Sequence, residues 1–342
     1  MTLRTLTHAA FPVLLALAGA ATAQSVVVPN AYANQRAGLL LNSILRDLNA
    51  PRTVMQGIPA GELAGIPIGA PIQGLSFRAG HTSGNLPSWP TADMVWSDYE
   101  ITIGHAIPPA TWGTNFAGNF SGTPTRVRDG SLTVRAGTYT NSSPTAPNPN
   151  AWGEFYFDLQ TPFVYLGGDL AILYSHPGGS LSGSLFFDSL APNAATGIAM
   201  YATTFQAPTA TVVSTNFSVV RIHYGYGSGC PGGTGSAPNL VLDGDTVGGG
   251  TARFSVANAP AGQPVIYLFG FARANIPLFG ACSLLTLPAV SAELALDALG
   301  RVELQLSMPP GLTGTMDVQA AVVDLASPTL VTLSNAVEFT AR

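Results

Sequence analysis

The chain is expected to be all-β, built as two β-sandwiches, jelly-roll-like then immunoglobulin-like, joined by a Gly/Pro-rich connection. Three observations predict this. Short runs in which apolar and polar residues alternate recur along the chain. Glycine and proline, 38 and 27 residues, gather between those runs. No segment shows sustained apolar spacing of helical period. Alternation of period two places one strand face in a core and the other outward. Short strands between turn signals, without intervening helices, point to a sandwich or jelly roll rather than a parallel α/β sheet.

In chain order, the first 23 residues have the layout of a secretory signal. Arg4 supplies a weakly positive start, Ala9 to Ala20 is apolar, and Ala21-Thr-Ala23 supplies small residues before Gln24. Cleavage is expected after Ala23, leaving Gln24, which can cyclise, at the new terminus. The apolar run falls short of the ~20 residues of a spanning helix. No cysteine follows the cleavage point, and the C-terminal Ala336–Arg342 carries no apolar tail. Export by the general secretory route is expected, to the periplasm, cell surface or medium, with no membrane insertion of the mature chain.

Val26-Val-Val28 reads as a short strand. Leu39, Leu40, Ile44, Leu45 and Leu48 fit either one helix face or a hairpin with Arg52-Thr-Val-Met55, and strands are favoured because the rest of the chain favours them. Tyr99, Ile101 and Ile103 alternate within 97–103. Residues 131–135 and 154–159 alternate in the same way. The turn-rich stretches 140–150 and 176–179 separate these strands. Together 24–224 is expected to form the first sandwich.

Residues 225–238, Gly-Tyr-Gly-Ser-Gly-Cys-Pro-Gly-Gly-Thr-Gly-Ser-Ala-Pro, exceed the glycine and proline content that a central strand or helix tolerates. They are expected to be a linker, with Cys230 tied into a second sandwich spanning 229–342. There Ala252, Phe254 and Val256 alternate with Arg253 and Ser255, and Val302, Leu304, Leu306 and Met308 with Glu303, Gln305 and Ser307. Val265–Phe269 is apolar throughout and reads as a central strand. With 317–324 and 330–333 the total approaches the seven strands of an immunoglobulin-like sandwich. Asp243-Gly244, Leu299-Gly300 and Pro309-Pro-Gly311 fit turns.

Gly229-Cys230-Pro-Gly-Gly-Thr-Gly followed by Pro238-Asn-Leu, with Cys282 in Leu278–Leu285, resembles the C-terminal domain of two-domain secreted proteins of planctomycete-type bacteria. Ile72–Arg78, Phe116–Asn119 and Gln160–Tyr165 resemble landmarks of the β-sandwich that precedes that domain. The resemblance implies a fold and an exported location. It carries no activity, so it assigns no catalytic residue.

Charged residues are 9 % of the chain, against ~25 % in ordinary soluble domains. All 13 basic residues are arginine. Without the first 23 residues, 12 Arg face 18 acids, a formal charge of −6. No basic cluster is present, so nucleic acid is not an expected partner; an extracellular protein or glycan is.

Candidate chemistry is sparse. Cys230 and Cys282 are the two cysteines. An even count in an exported chain favours a structural disulfide, with a reactive thiol pair or a metal site as the sharper alternative. His81, His105, His176 and His223 form neither H-x-H nor H-E-x-x-H, and no G-x-S-x-G elbow occurs. Glu154 and Asp158, four residues apart on a presumed strand, would lie about 13 Å apart at strand rise, too far for a glycosidase pair. A solvated strand face is expected for them instead. Asp243-Gly-Asp245 resembles part of a calcium turn but lacks the remaining loop ligands, so it reads as a turn. No metal, cofactor or catalytic residue is expected. The four tryptophans, Trp89, Trp96, Trp112 and Trp152, all fall in the first half. Trp89 and Trp112, in Pro- and Gly-rich stretches, are candidates for sugar stacking if exposed, and core plugs if buried. The expectation is therefore a non-catalytic structural or interaction protein, with carbohydrate binding as the alternative.

Overall fold

The computed structural model describes residues 24–341 except 82–87, 141–148, 234, 245 and 281. The proposed signal segment and Asp245 lie outside the described residues. The fold is all-β, with antiparallel sheets, short 3-10 turns and no α-helix among the described residues. No helix there is long and apolar enough to cross a membrane.

Two sheets enclose the first core. One has four strands, ordered Ser25–Val28, Val220–Tyr224, Pro71–Phe77, Phe157–Val164. The other has six, ordered Val212–Thr215, Ile198–Ala202, Arg52–Ile58, Leu170–His176, Glu100–His105, Thr125–Arg128. Their inner faces meet through rings. Phe77 and Phe157 of the four-stranded sheet lie 6.1 and 6.4 Å from Tyr174 of the six-stranded one. Tyr99, Ile101 and Ile103 are fully buried in this core, as their alternation predicts. The outer face of the six-stranded sheet carries a smaller cluster of Met55, Ala171 and Met200 under Phe116 and Phe120.

The second core lies between a three-stranded sheet (Asn239–Gly244, Thr251–Ala257, Val302–Ser307) and a four-stranded one. The latter is ordered Cys282–Ala295, Pro264–Phe279, Gly314–Val323, Val331–Ala341. Phe254 bridges the layers, 5.5 Å from Phe269 and 5.3 Å from Phe339. Seven strands form, as the pattern implies, and Val265–Phe269 is indeed internal to its sheet. The strand Cys282–Ala295 escapes the period-two reading. It is an edge strand whose run of exposed positions, Leu287 to Ser291, is mostly apolar and does not alternate, so polarity does not mark its outer face.

Three local expectations need correction. Leu39–Leu41 is a strand but does not hairpin with Arg52–Ile58; it pairs with Phe187–Leu190, because Arg52–Ile58 is already flanked on both sides. The strand expected over 154–159 begins at Phe157. Finally, the glycine-rich stretch 225–238 is not a free spacer. Tyr226 exchanges backbone hydrogen bonds with Ala336 (3.0 and 3.1 Å), and the Cys230 amide donates to the Leu333 carbonyl (2.8 Å), so the stretch lies along the last strand. Glycine permits this approach: a Cβ on Gly225 or Gly229 would stand 2.7 Å from the carbonyl oxygens of Ala336 or Leu333.

Candidate functional site

Several of the chain's few charged side chains meet at the seam between the two cores. Asp158, at the start of its strand, accepts from Arg128 Nη1 at 3.0 Å and faces Arg301 Nη2 at 3.5 Å. The side chains of Arg128, Asp158 and Arg301 are 5 %, 7 % and 15 % exposed. Arg301 comes from the second core and also donates to the carbonyls of Thr133 (3.0 Å) and Tyr156 (3.3 Å) in the first. Burial lowers its pKa, an effect that the Asp158 charge opposes. One carboxylate therefore holds two guanidiniums in a nearly dry setting, where an ion pair interacts far more strongly than in water.

Further ties run along the same seam. Arg135 pairs with Asp297, and Arg221 with Asp243. The Asn239 amide donates to the Leu159 carbonyl. Gln24 Oε1 accepts from the Glu338 amide at 3.0 Å, which ties the first described residue to the last strand. Within the first core, Arg78 is fully buried. It donates to Asp188 through Nε at 2.9 Å and reaches the Gln35 carbonyl through Nη2 at 2.6 Å. Asp188 also accepts from the Ala37 amide at 3.0 Å. The landmarks Arg78 and Asn119 are thus buried polar groups with local structural partners; Asn119 both donates to and accepts from the Gly113 backbone at 3.0 Å.

Between the cores, three clefts open along the seam, of about 90, 320 and 510 Å³. The first two border Arg301, and the second also borders the Arg128–Asp158 pair. The largest borders Trp152, Arg221, Asp243 and Arg253.

The residues singled out by sequence fall as follows. Cys230 and Cys282 form a disulfide, with Cα atoms 4.9 Å apart, packed with Leu333. This resolves the alternatives of a thiol pair or metal site, because both sulfurs are consumed. Trp89 and Trp112 are not side by side on an open surface. Trp89 is 5 % exposed in the main core and donates through Nε1 to the Gly183 carbonyl at 2.8 Å. Trp112 is half-buried with the separate outer cluster and lies over Gly57, where an added Cβ would stand 2.6 Å from the indole.

His176 is buried and stacks on Tyr99 at 5.2 Å; its Nδ1 accepts from the Gly178 amide at 3.1 Å. Burial pushes its pKa down to about 4. His223 is buried beside Ser76 (2.8 Å), and burial, then the Arg221 charge, pushes it down to about 3. Both fit neutral structural imidazoles. His105 Nε2 accepts from the Leu166 amide at 3.1 Å.

Glu154 and Asp158 do not share a solvated strand face. Glu154 is exposed and precedes the strand, while Asp158 is buried in its arginine clamp. Asp243 is the ion-pair partner of Arg221, so a cation there would have to displace a guanidinium. Among the described residues no group of three or more His, Cys, Asp or Glu side chains gathers at metal-binding distance.

Sequence reasoning missed the seam itself. Arg128, Asp158, Arg301, Arg221 and Asp243 come from strands and turns far apart in the chain, and no local spacing links them. The one available signal was their rarity: in a chain with 9 % charged residues, an arginine beside apolar strand positions has a good chance of an internal partner. A scan against protein-family models and a search of curated proteins return no match for this chain.

Proposed function

We propose that the chain is an exported, non-catalytic structural and interaction protein of the periplasm, cell surface or medium, built as two β-sandwich domains, 24–224 and 229–342. One observation carries this reading. Most of the buried charged side chains at the seam and in the first core are paired with one another: Arg78 with Asp188, Arg128 and Arg301 with Asp158, Arg135 with Asp297, Arg221 with Asp243. Catalytic acids and bases need a partly free group with a tuned pKa facing a substrate. A carboxylate fixed between two guanidiniums joins strands rather than moving protons.

Export is supported by the Cys230–Cys282 bond, since structural disulfides persist mainly in oxidising compartments. The signal-like layout of residues 1–23 and the resemblance to secreted proteins of planctomycete-type bacteria point the same way. The mature chain reaches its surroundings through an extracellular protein or glycan partner. The burial of Trp89 favours this structural reading over a sugar platform built from Trp89 and Trp112.

The test is expression of the full chain in a bacterial host, followed by fractionation, intact-mass measurement and cross-linking on whole cells. The expected result is an oxidised chain beginning at Gln24 in the periplasm, medium or salt-washed surface fraction, cross-linked to a defined envelope component. An uncleaved chain released only by detergent would overturn the export reading. Turnover of a glycan, ester or peptide substrate by the pure protein would overturn the non-catalytic one.

A further inference from the structure

The cleft of about 510 Å³ differs from the two others in bordering an arginine, Arg253, that makes no ion pair among the described residues, whereas Arg135, Arg128 and Arg301 of the other two are all paired. Its volume lies within the range of small-molecule sites and well above the space that a single ion needs. Two guanidiniums border it, Arg221 and Arg253, with the one carboxylate of Asp243. Asp243 is paired with Arg221. Arg253 sits opposite Asp243 in the strand register and makes no ion pair among the described residues. Arg78, on the Trp152 side of the cleft, pairs with Asp188 at 2.8 Å, so that carboxylate is engaged away from Arg253.

The cleft is also preorganised. The Arg221 guanidinium lies 4.1 Å from the centroid of the Trp152 ring, and Arg78 lies 5.3 Å from the same ring. Stacking and the Asp243 pair fix the Arg221 fork in place, and its buried Nε has no hydrogen-bond partner. Burial, followed by repulsion from Arg78 and Arg253, pushes the Arg221 pKa down to about 9. Around these cations the lining mixes small and apolar residues with the polar Asn34 and Thr251. The chain as a whole is acidic, so this local excess of positive charge is not a consequence of its overall balance.

We propose that this cleft binds a sugar carrying an anionic group, a carboxylate or a sulfate, with Arg253 as the main partner of the charge, Arg221 as the second, and Asn34 and Thr251 facing the hydroxyls. A planar guanidinium fork matches either oxyanion. A polyhydroxylated ring fits the amide and hydroxyl wall better than an apolar acid does, because a buried wall group left unpaired costs binding free energy. The inference goes beyond the structural reading above: that reading stands whether or not the cleft is occupied.

Isothermal titration of the exported protein tests it with four probes: a galacturonate trisaccharide, its neutral methyl ester, a sulfated disaccharide and inorganic sulfate. Saturable binding of at least one acidic sugar is expected, with the ester and inorganic sulfate at least tenfold weaker and affinity falling as salt rises. Which acidic sugar binds better identifies the anion. Arg253→Gln should weaken binding about tenfold to a hundredfold, the worth of one charge-assisted hydrogen bond, with an unchanged circular dichroism spectrum. Should that variant fail to fold, hydrogen exchange on the unaltered protein replaces it, and ligand-dependent protection should centre on Trp152 and Thr251–Arg253. The proposal is overturned by no saturable binding of either acidic sugar, by equal binding of the ester or of inorganic sulfate, by undiminished binding in a folded Arg253→Gln variant, or by protection confined to another surface.

Discussion

Removing the disulfide should reveal both its own contribution and whether the two cores unfold together. The perturbation is the double substitution Cys230→Ala, Cys282→Ala. The bond spans 52 residues of sequence, and on the chain-entropy account a loop of that length stabilises by about 4 kcal/mol. It fixes the glycine-rich stretch to the start of the strand Cys282–Ala295, next to the hydrogen bond from the Cys230 amide to Leu333. With an unfolding entropy of roughly 2.1 cal/mol/K per residue, 4 kcal/mol lowers Tm by about 6 °C if all of the roughly 320 residues unfold as one. The same loss lowers Tm by about 17 °C if the roughly 110 residues around the second core unfold alone. Differential scanning calorimetry of the variant and of the parent, each with and without reductant, separates these cases. The seam contacts predict the smaller shift in a single transition. A shift below about 2 °C would refute the view that this bond constrains the unfolded chain.

Two further predictions concern the first core. Trp89→Ala should cost about 3–5 kcal/mol in urea denaturation, because it empties a buried indole site and leaves the Gly183 carbonyl without its donor; a cost under 1 kcal/mol would mean that the ring is not a core element. Stability should fall as pH drops from 7.5 to 5, where carboxylates remain ionised. His176 and His223 have folded pKa values depressed to about 4 and about 3. The unfolded chain therefore takes up protons near pH 6.5 that the folded chain refuses, and the stability present above pH 6.5 is lost as pH falls towards the folded values. For two fully buried imidazoles the loss by pH 5 is about 4 kcal/mol. Urea midpoints measured across this range check it, and a flat profile, unaltered by His176→Gln or His223→Gln, contradicts it.

The fold class was legible because strand alternation is a local property. Tyr99, Ile101 and Ile103 announce their shared face with no information from elsewhere, as do Phe254 and Val256. Pairing partners were less legible. Leu39–Leu41 has the composition of a strand, but its choice of Phe187–Leu190 over the nearby Arg52–Ile58 depends on which edges remain open after the six-stranded sheet forms. The glycine-rich stretch reads as a linker by composition, whereas the same glycines serve close backbone packing against the last strand. Asp158 shows the limit most sharply. Its alternation with Phe157 and Leu159 implies an outward, solvated carboxylate, yet that outward face is covered by the second core and by Arg301, 143 residues away in sequence. A side chain facing away from one core can still be buried when another core packs over it.

The paired charges of the seam serve the architecture. Asp158→Asn tests this most directly, since the substitution keeps the shape and one acceptor but removes the charge shared by Arg128 and Arg301. Their near-complete burial means that solvent screens the interaction little, and breaking a buried pair costs about 3–5 kcal/mol. In urea denaturation at neutral pH the variant should lose that amount, and Arg301→Gln added to it should cost much less than Arg301→Gln alone. A loss below 1 kcal/mol, with the two substitutions strictly additive, would contradict the claim and free Asp158 for another role.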